Sequence, residues 1–169
     1  MEPQFTIRPG VDNDNEKIMQ IINSYVDNSF AAYSDEAYPV SFAAGKGKEA
    51  RVFLIIEVSR EVIGFGLISP YRPFKNFNHT GVLTYFILTE YTGLGLGTKL
   101  LNELISAGQK IGITNYLAHI SSQNTQSLNF HKKKGFEEVG RFKKVAVKFN
   151  KFIDVVWVQK WLASESDIT

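Results

Sequence analysis

The segment Phe86-Ile87-Leu88-Thr89-Glu90-Tyr91-Thr92-Gly93-Leu94-Gly95-Leu96-Gly97-Thr98-Lys99-Leu100-Leu101 runs from an apolar, strand-like stretch into a leucine-bearing, helix-like one, with three glycines in five positions between them. Glycine admits positive φ and carries no Cβ, so successive N–H groups in such a loop can converge on one charged oxygen. The first amides of the following helix lack intrahelical partners, and the helix dipole adds roughly 0.5 of a positive charge at that end. A phosphate or pyrophosphate is the natural ligand of such a site. Two nucleotide motifs fail the spacing: Gly97-Thr98-Lys99 reverses the Walker order, and no acid stands near Asn115 to His119, where a Rossmann ribose partner belongs. The glycines alone leave a tight structural turn and an anion cradle equally open.

Reading outward, Thr80 to Leu88 is apolar at nearly every position, as in a central strand covered on both faces. Upstream, Val52 to Val58 and Val62 to Ser69 form a hairpin across Ser59-Arg60-Glu61. Phe5 to Pro9 is a strand, and residues 12–28 form a helix capped by Asp12 or Asn13, with Ile18, Ile21, Ile22 and Tyr25 on its apolar side. Residues 28–50 have mixed periodicity and read as loop and short helix. Downstream, the stripe Leu100, Leu101, Leu104, Ile105 and Ile111 predicts a helix ending near Gly112, and Asn115 to Ser121 a buried strand. A short helix then runs from Asn124 to Gly135, followed by two closing strands. Strands with helices crossing between some of them predict an α/β or α+β fold with a mixed sheet. One domain over residues 1–163 is expected, with a frayed tail over 164–169.

Composition narrows the function. Hydrophobic residues make up 44% of the 169 positions, enough for a single core. Lys and Arg total 19 against 17 Asp and Glu, so no global field calls for nucleic acid or an anionic membrane. Between His131 and Lys151, however, eight Lys or Arg face only Glu137 and Glu138, a local excess that suits a solvated face or a phosphate contact. The absence of cysteine removes disulfides, thiolate catalysis and Cys-type metal sites, and His79, His119 and His131 share no metal-ligand spacing. With no signal peptide or membrane-length apolar run, a cytoplasmic protein is expected.

The order strand, Thr92-Gly93-Leu94-Gly95-Leu96-Gly97, helix, strand and then Asn124-Thr125-Gln126-Ser127-Leu128-Asn129-Phe130-His131-Lys132-Lys133-Lys134-Gly135-Phe136 resembles the GNAT N-acetyltransferase family. That family's signature is Arg/Gln-x-x-Gly-x-Gly/Ala before a helix; Gly95 and Gly97 match it, while Thr92 stands in place of Arg or Gln. Asn124 with Gly135-Phe136 matches its second block. The likeness covers nearly the whole chain and is nearest the phosphinothricin and methionine sulfone or sulfoximine acetyltransferase branch. In the tail, Lys148, Phe149 and Asp154 match that branch and Asn150 and Phe152 depart from it. The resemblance implies a single GNAT-like domain, a mostly antiparallel mixed sheet flanked by helices with splayed central strands, and homodimers.

It also implies a site. Acetyl-CoA would be the cosubstrate, with no metal. The pyrophosphate would rest on the amides of Gly93, Leu94, Gly95, Leu96, Gly97 and Thr98, and the pantetheine arm along Phe86, Ile87 and Leu88. Asn124, Ser127 and His131 would lie near the thiol. An amide of Phe86 or Ile87 would polarise the carbonyl. The acceptor would be a small amino-acid-like amine held by Arg72, Phe74 and Tyr33, since a guanidinium fork suits a carboxylate. Polyamines, aminoglycosides, protein N-termini, or acetyl-CoA binding without turnover are the alternatives. His131 stands where the family keeps its general acid, and an imidazole can fill that role. Val82 stands where the branch carries a glutamate base. Either water relays the proton to His79, Tyr85 or Glu36, or the substrate differs, or the amine arrives neutral.

Overall fold

The computed structural model describes residues 4–162, so the tail from 163 lies outside the described residues. Its strands are β1 (Phe5–Pro9), β2 (Val52–Val58), β3 (Glu61–Pro70), β4 (Thr80–Ile87), β5 (Asn115–Ser121), β6 (Glu137–Lys148) and β7 (Lys151–Trp161). The helices are α1 (Asn15–Asn23), α2 (Val40–Glu49), α3 (Leu96–Lys110) and α4 (Thr125–Lys133). All seven strands form one sheet in the order β1-β2-β3-β4-β5-β7-β6, antiparallel except for β4 beside β5. The expected α/β class and mostly antiparallel mixed sheet are both present.

Both faces of the sheet are covered, which is why β3 is buried along most of its length. On one face α3 lays Leu100, Leu101 and Leu104 against Ile63, Ile68 and Tyr116. On the other, α1 and α2 place Ile18, Ile21, Ile22 and Ala43 over Ile55, Phe65 and Leu67. Gly64 permits the β3–β4 approach: a Cβ there would lie 2.7 Å from the Phe86 carbonyl oxygen. No helix among the described residues is long and apolar enough to cross a membrane.

β4 and β5 touch over only three pairs, Thr80↔Asn115, Gly81↔Tyr116 and Val82↔Leu117. Polar side chains bind that closed end. Asn115 donates to the Thr80 hydroxyl at 3.1 Å and accepts from the Gln159 amide of β7 at 2.8 Å, the first pair being fully buried. Beyond Val82 the two strands part, and β5 continues its pairing with β7 alone. This is the splay that the resemblance implied.

Two helices differ from the sequence expectation. The first segment is a 3-10 turn at Asp12–Asp14 followed by α1, because the Asp14 carboxylate is taken by Arg8 (2.8 Å to each oxygen) and by the Val11 amide instead of capping the helix. The helix also stops at Asn23: the Tyr25 and Val26 amides close tight i→i−3 turns on Ile22 and Asn23, and the Tyr25 hydroxyl reaches the Ile87 carbonyl on β4. In the stretch read as loop and short helix, residues 40–49 form a ten-residue helix despite Gly45 and Gly47. Tertiary contact outweighs the propensity cost of two glycines there, with Ala43 buried in the second core.

The outermost strand, β6, is exposed along almost its whole length and presents Phe142, Val145 and Val147 to solvent beside Phe152 of β7.

Arg8 joins Asp14 to Glu57, and Asp14 is held below its usual value by that hydrogen-bonded pair. A depressed carboxylate stabilises the fold above its unfolded pKa and loses that contribution as pH falls through the folded value. Asp14→Asn should therefore cost about 1–2 kcal/mol at neutral pH. The gap from wild type should close in urea titrations carried progressively below pH 4, about the ordinary aspartate value.

Candidate active site

A cleft of about 640 Å³ opens where β4 and β5 part. At one end lies the glycine loop. Gly93 and Gly95 take φ of 76° and 80°, the left-handed region that side chains resist, and Gly95 caps α3. The Thr98 and Lys99 amides both turn to the Gly95 carbonyl, while those of residues 93–97 find no acceptor among the described residues. A Cβ on Gly97 would meet Ile87 and Phe130 only at 3.9 Å, so the bare backbone faces the cleft instead of closing a packed contact. These amides and the dipole of a fifteen-residue helix fit a pyrophosphate. The Thr92 hydroxyl donates to the Thr89 carbonyl at 2.7 Å, so this side chain is committed locally and the cradle is made of backbone.

The middle of the cleft is the edge of β4. The Leu88 amide donates to Ile63 on β3 at 2.8 Å, and the Ile87 carbonyl accepts from Tyr25 on the other side. Alternation along a strand then turns the Phe86 amide toward β3 and the Ile87 and Tyr85 amides toward the cleft. Of the two amides expected to polarise a carbonyl, Ile87 has the right direction and Phe86 does not. Leu88 is also spent, since its carbonyl accepts from Tyr91 at 2.9 Å. The side chains of Leu94 and Leu96 stand outside the cleft lining, Leu94 in solvent and Leu96 in the core, so only their amides can serve.

Against this edge stands α4. Asn124 caps it, its side-chain oxygen accepting from the Ser127 amide at 3.2 Å. His131, buried at 3% exposure, holds Nδ1 2.8 Å from the Ser127 carbonyl and Nε2 2.7 Å from the Tyr85 hydroxyl. A carbonyl only accepts, so Nδ1 carries the hydrogen and Nε2 of the neutral ring is an acceptor. Burial pushes the imidazole below its ordinary value, against the opposing pull of the Ser127 carbonyl. The general-acid role expected of His131 thus needs a proton on Nε2 that the resting ring does not carry. Burial also raises the Tyr85 phenol well above its usual range.

The far end of the cleft is aromatic. Tyr33 stacks on His119 with ring centroids 5.7 Å apart, and His119 packs on Trp157 at 5.1 Å. Burial pushes the Tyr33 phenol up to about 12. Around His119, whose edge is exposed, the cleft walls and then the nearby Lys46 charge disfavour the imidazolium. From α2, Phe42 and Lys46 complete this end. The loop carrying Tyr33 is pinned by Lys148, a buried lysine whose ammonium donates to the Ser29 and Ala32 carbonyls at 2.7 and 2.6 Å. No Asp or Glu lines the cleft, and no group of three or more potential metal ligands occurs among the described residues.

Several expected residues lie elsewhere. Arg72 sits over Tyr71 in the exposed β3–β4 loop, Phe74 is 63% exposed, and neither reaches the cleft. His79 precedes β4 at its closed end, about 20 Å along the strand from Tyr85 at some 3.3 Å per residue. Its carbonyl is held by the Thr114 and Asn115 amides and its ring lies against Trp161. Glu36 is exposed outside the cleft, and Val82 pairs with Leu117. Conversely, Lys46, Phe42 and His119 were not among the expected site residues, His119 having been weighed only as a metal ligand. A charged or polar residue interrupting an apolar strand, as His119 does in Asn115 to Ser121, was the available signal for one of them.

Comparison with known proteins agrees with this geometry. The profile of the Acetyltransferase (GNAT) family matches residues 18–136. An L-methionine sulfoximine/L-methionine sulfone acetyltransferase from Pseudomonas aeruginosa is 30% identical over 84% of this chain and 86% of its own. A phosphinothricin N-acetyltransferase from Streptomyces coelicolor is 26% identical over 93% of this chain and 96% of its own. Among solved structures, yncA from Salmonella typhimurium with its cofactor acetyl-CoA superposes with a TM-score of 0.85 at 26% identity, covering 98% of both chains. A glycine cradle at the head of α3, a parted β4–β5 pair and a profile match across most of the chain lead to one conclusion: this protein belongs to the GNAT family of acetyltransferases, which draw their acetyl group from acetyl-CoA.

Proposed function

We propose that the protein moves an acetyl group from acetyl-CoA directly to the amine of a small amino-acid-like acceptor. The observation that carries this reading is the acceptor end of the cleft, whose lining among the described residues includes Tyr33, Phe42 and His119 with a single cation, Lys46, and no carboxylate. A polyamine or aminoglycoside brings several positive charges and needs acids to receive them; an amino acid brings one carboxylate, which a lysine attracts. Apolar and aromatic walls then suit its side chain. The relatives named for methionine sulfone, methionine sulfoximine and phosphinothricin support the same class.

In this reading the pyrophosphate rests on the amides of residues 93–97, the Thr98 amide being spent on the Gly95 carbonyl, while the Ile87 amide polarises the acetyl carbonyl and Lys46 orients the acceptor. Transfer needs no covalent enzyme intermediate, since a neutral amine attacks a thioester held beside it. Arg72 is not among the residues that line the cleft, and this reading assigns it no role.

Free-thiol release with acetyl-CoA should be followed for L-methionine sulfone, phosphinothricin, spermidine and a peptide N-terminus. Turnover is expected with the first two; preference for spermidine would overturn the acceptor class, and acetyl-CoA binding without any turnover would leave a binding protein. Lys46→Met should raise KM for the amino-acid acceptor about tenfold with little change for acetyl-CoA, whereas Arg72→Ala should leave both near wild type.

At the other end, Gly95→Val should weaken acetyl-CoA binding by at least about tenfold in calorimetry, because a β-branched side chain resists φ near 80°. Thr92→Ala should change it by less than about threefold, a few tenths of a kcal/mol to 0.7.

A further inference from the structure

The adduct formed when an amine attacks a thioester must lose a proton from nitrogen, and the departing thiolate must gain one. Among the described residues no carboxylate lines this cleft: Val82 occupies the position of the branch's glutamate, and neither Asp nor Glu is among the lining residues. What lines it instead is a hydroxyl backed by an imidazole. The Tyr85 oxygen lies 2.7 Å from His131 Nε2, and the Ser127 carbonyl, 2.8 Å from Nδ1, sets the tautomer so that Tyr85 is the donor. The Ser127 hydroxyl stands 3.3 Å from the same Nδ1, and the rings of Phe130 and Phe136 meet the imidazole edge-on at 5.6 and 5.0 Å. The ring therefore cannot rotate without losing its partners. Both Tyr85 and His131 line the cleft, as does Ile87.

We propose that Tyr85 and His131 form a two-way proton relay that does the work of both the missing base and the general acid. The inference rests on the acetyl-transfer reading above. The neutral acceptor amine, having lost its extra proton to water, forms the N–C bond as the carbonyl π pair moves onto oxygen. The adduct nitrogen then gives a proton to the Tyr85 oxygen while the Tyr85 hydroxyl proton passes to His131 Nε2. When the carbonyl re-forms, the C–S bond breaks with its electron pair on sulfur, and the His131 imidazolium returns the proton through Tyr85 to the thiolate. Both residues finish as they began, and the one proton released overall is the one the acceptor gave to water. Tyr85 is the group that touches the reacting atoms. His131 acts through it.

The lowered basicity of His131 fits a ring that must start neutral. Tyr85 from β4 and Ser127 from its own helix are the titratable or polar groups facing it; Phe130 and Phe136 fill the remaining sides, and no charged side chain contributes to its shift.

The test uses the full chain with acetyl-CoA and the best acceptor from the panel above. Tyr85→Phe keeps the ring against Phe130 and removes only the hydroxyl; it should lower kcat about 100-fold while acetyl-CoA affinity stays within about twofold. His131→Gln should fall comparably, and the double variant should lose little more than either single one, as expected of groups acting as a unit. An independent readout needs no turnover: nitrogen NMR of the unliganded protein should show His131 protonated at Nδ1 near neutral pH. A Tyr85→Phe enzyme that binds acetyl-CoA and retains wild-type kcat, or a His131 protonated at Nε2, would overturn the relay while leaving the acetyl-transfer reading intact. A wild-type protein that binds acetyl-CoA yet acetylates none of the amines would overturn both.

Discussion

Three backbone pairs between β4 and β5 are the constraint on which the rest depends. A parallel pair in the middle of an otherwise antiparallel sheet has to be reached by a crossover, and α3 supplies it from the end of β4 to the start of β5. Because the crossover begins at the glycine loop, the head of α3 lies at the mouth of the gap the two strands leave. Fixing the closed end with Thr80, Asn115 and Gln159 lets the other end part without the sheet dividing. Glycine loop, open strand edge and aromatic walls follow from that one geometry.

The two ends of the cleft are built by different physics. The glycine end offers backbone dipoles, which need no side chain and can hold an anion by direction. At the aromatic end, identity lies in side chains held over long sequence distances: Lys148 of β6 grips carbonyls of the loop after α1, more than a hundred residues away, and so holds Tyr33 above His119. The ammonium there is buried among carbonyl oxygens, an arrangement that keeps the loop in one place at some desolvation cost.

This division also explains what could be read from the chain. Local signals were sufficient for β1, β2 and β5 and for the Asn124 cap, because each is written in adjacent residues, whereas the glycines alone fit a tight turn as well as an anion cradle. The α2 helix was obscured by Gly45 and Gly47, whose cost is offset only by contacts with α1 and the sheet. His131 could be located by its distance from Asn124, but its tautomer depends on Tyr85, 46 residues away on another element. Arg72 and His79 were plausible by type and by loop position; only topology shows that they belong to the closed end of β4, away from the gap. Lys46 could not have been distinguished from an ordinary solvated lysine until α2 was seen to face the cleft.

The parted strands have one more consequence. A ligand that settles between β4 and β5 can bind only when both strands are in place, so it binds the folded chain and not the unfolded one. Linkage then adds RT ln(1 + [L]/Kd) to the folding free energy, about 2.7 kcal/mol at a hundredfold excess over Kd. By that linkage, saturating acetyl-CoA would make the chain harder to unfold and to cleave than the unliganded protein.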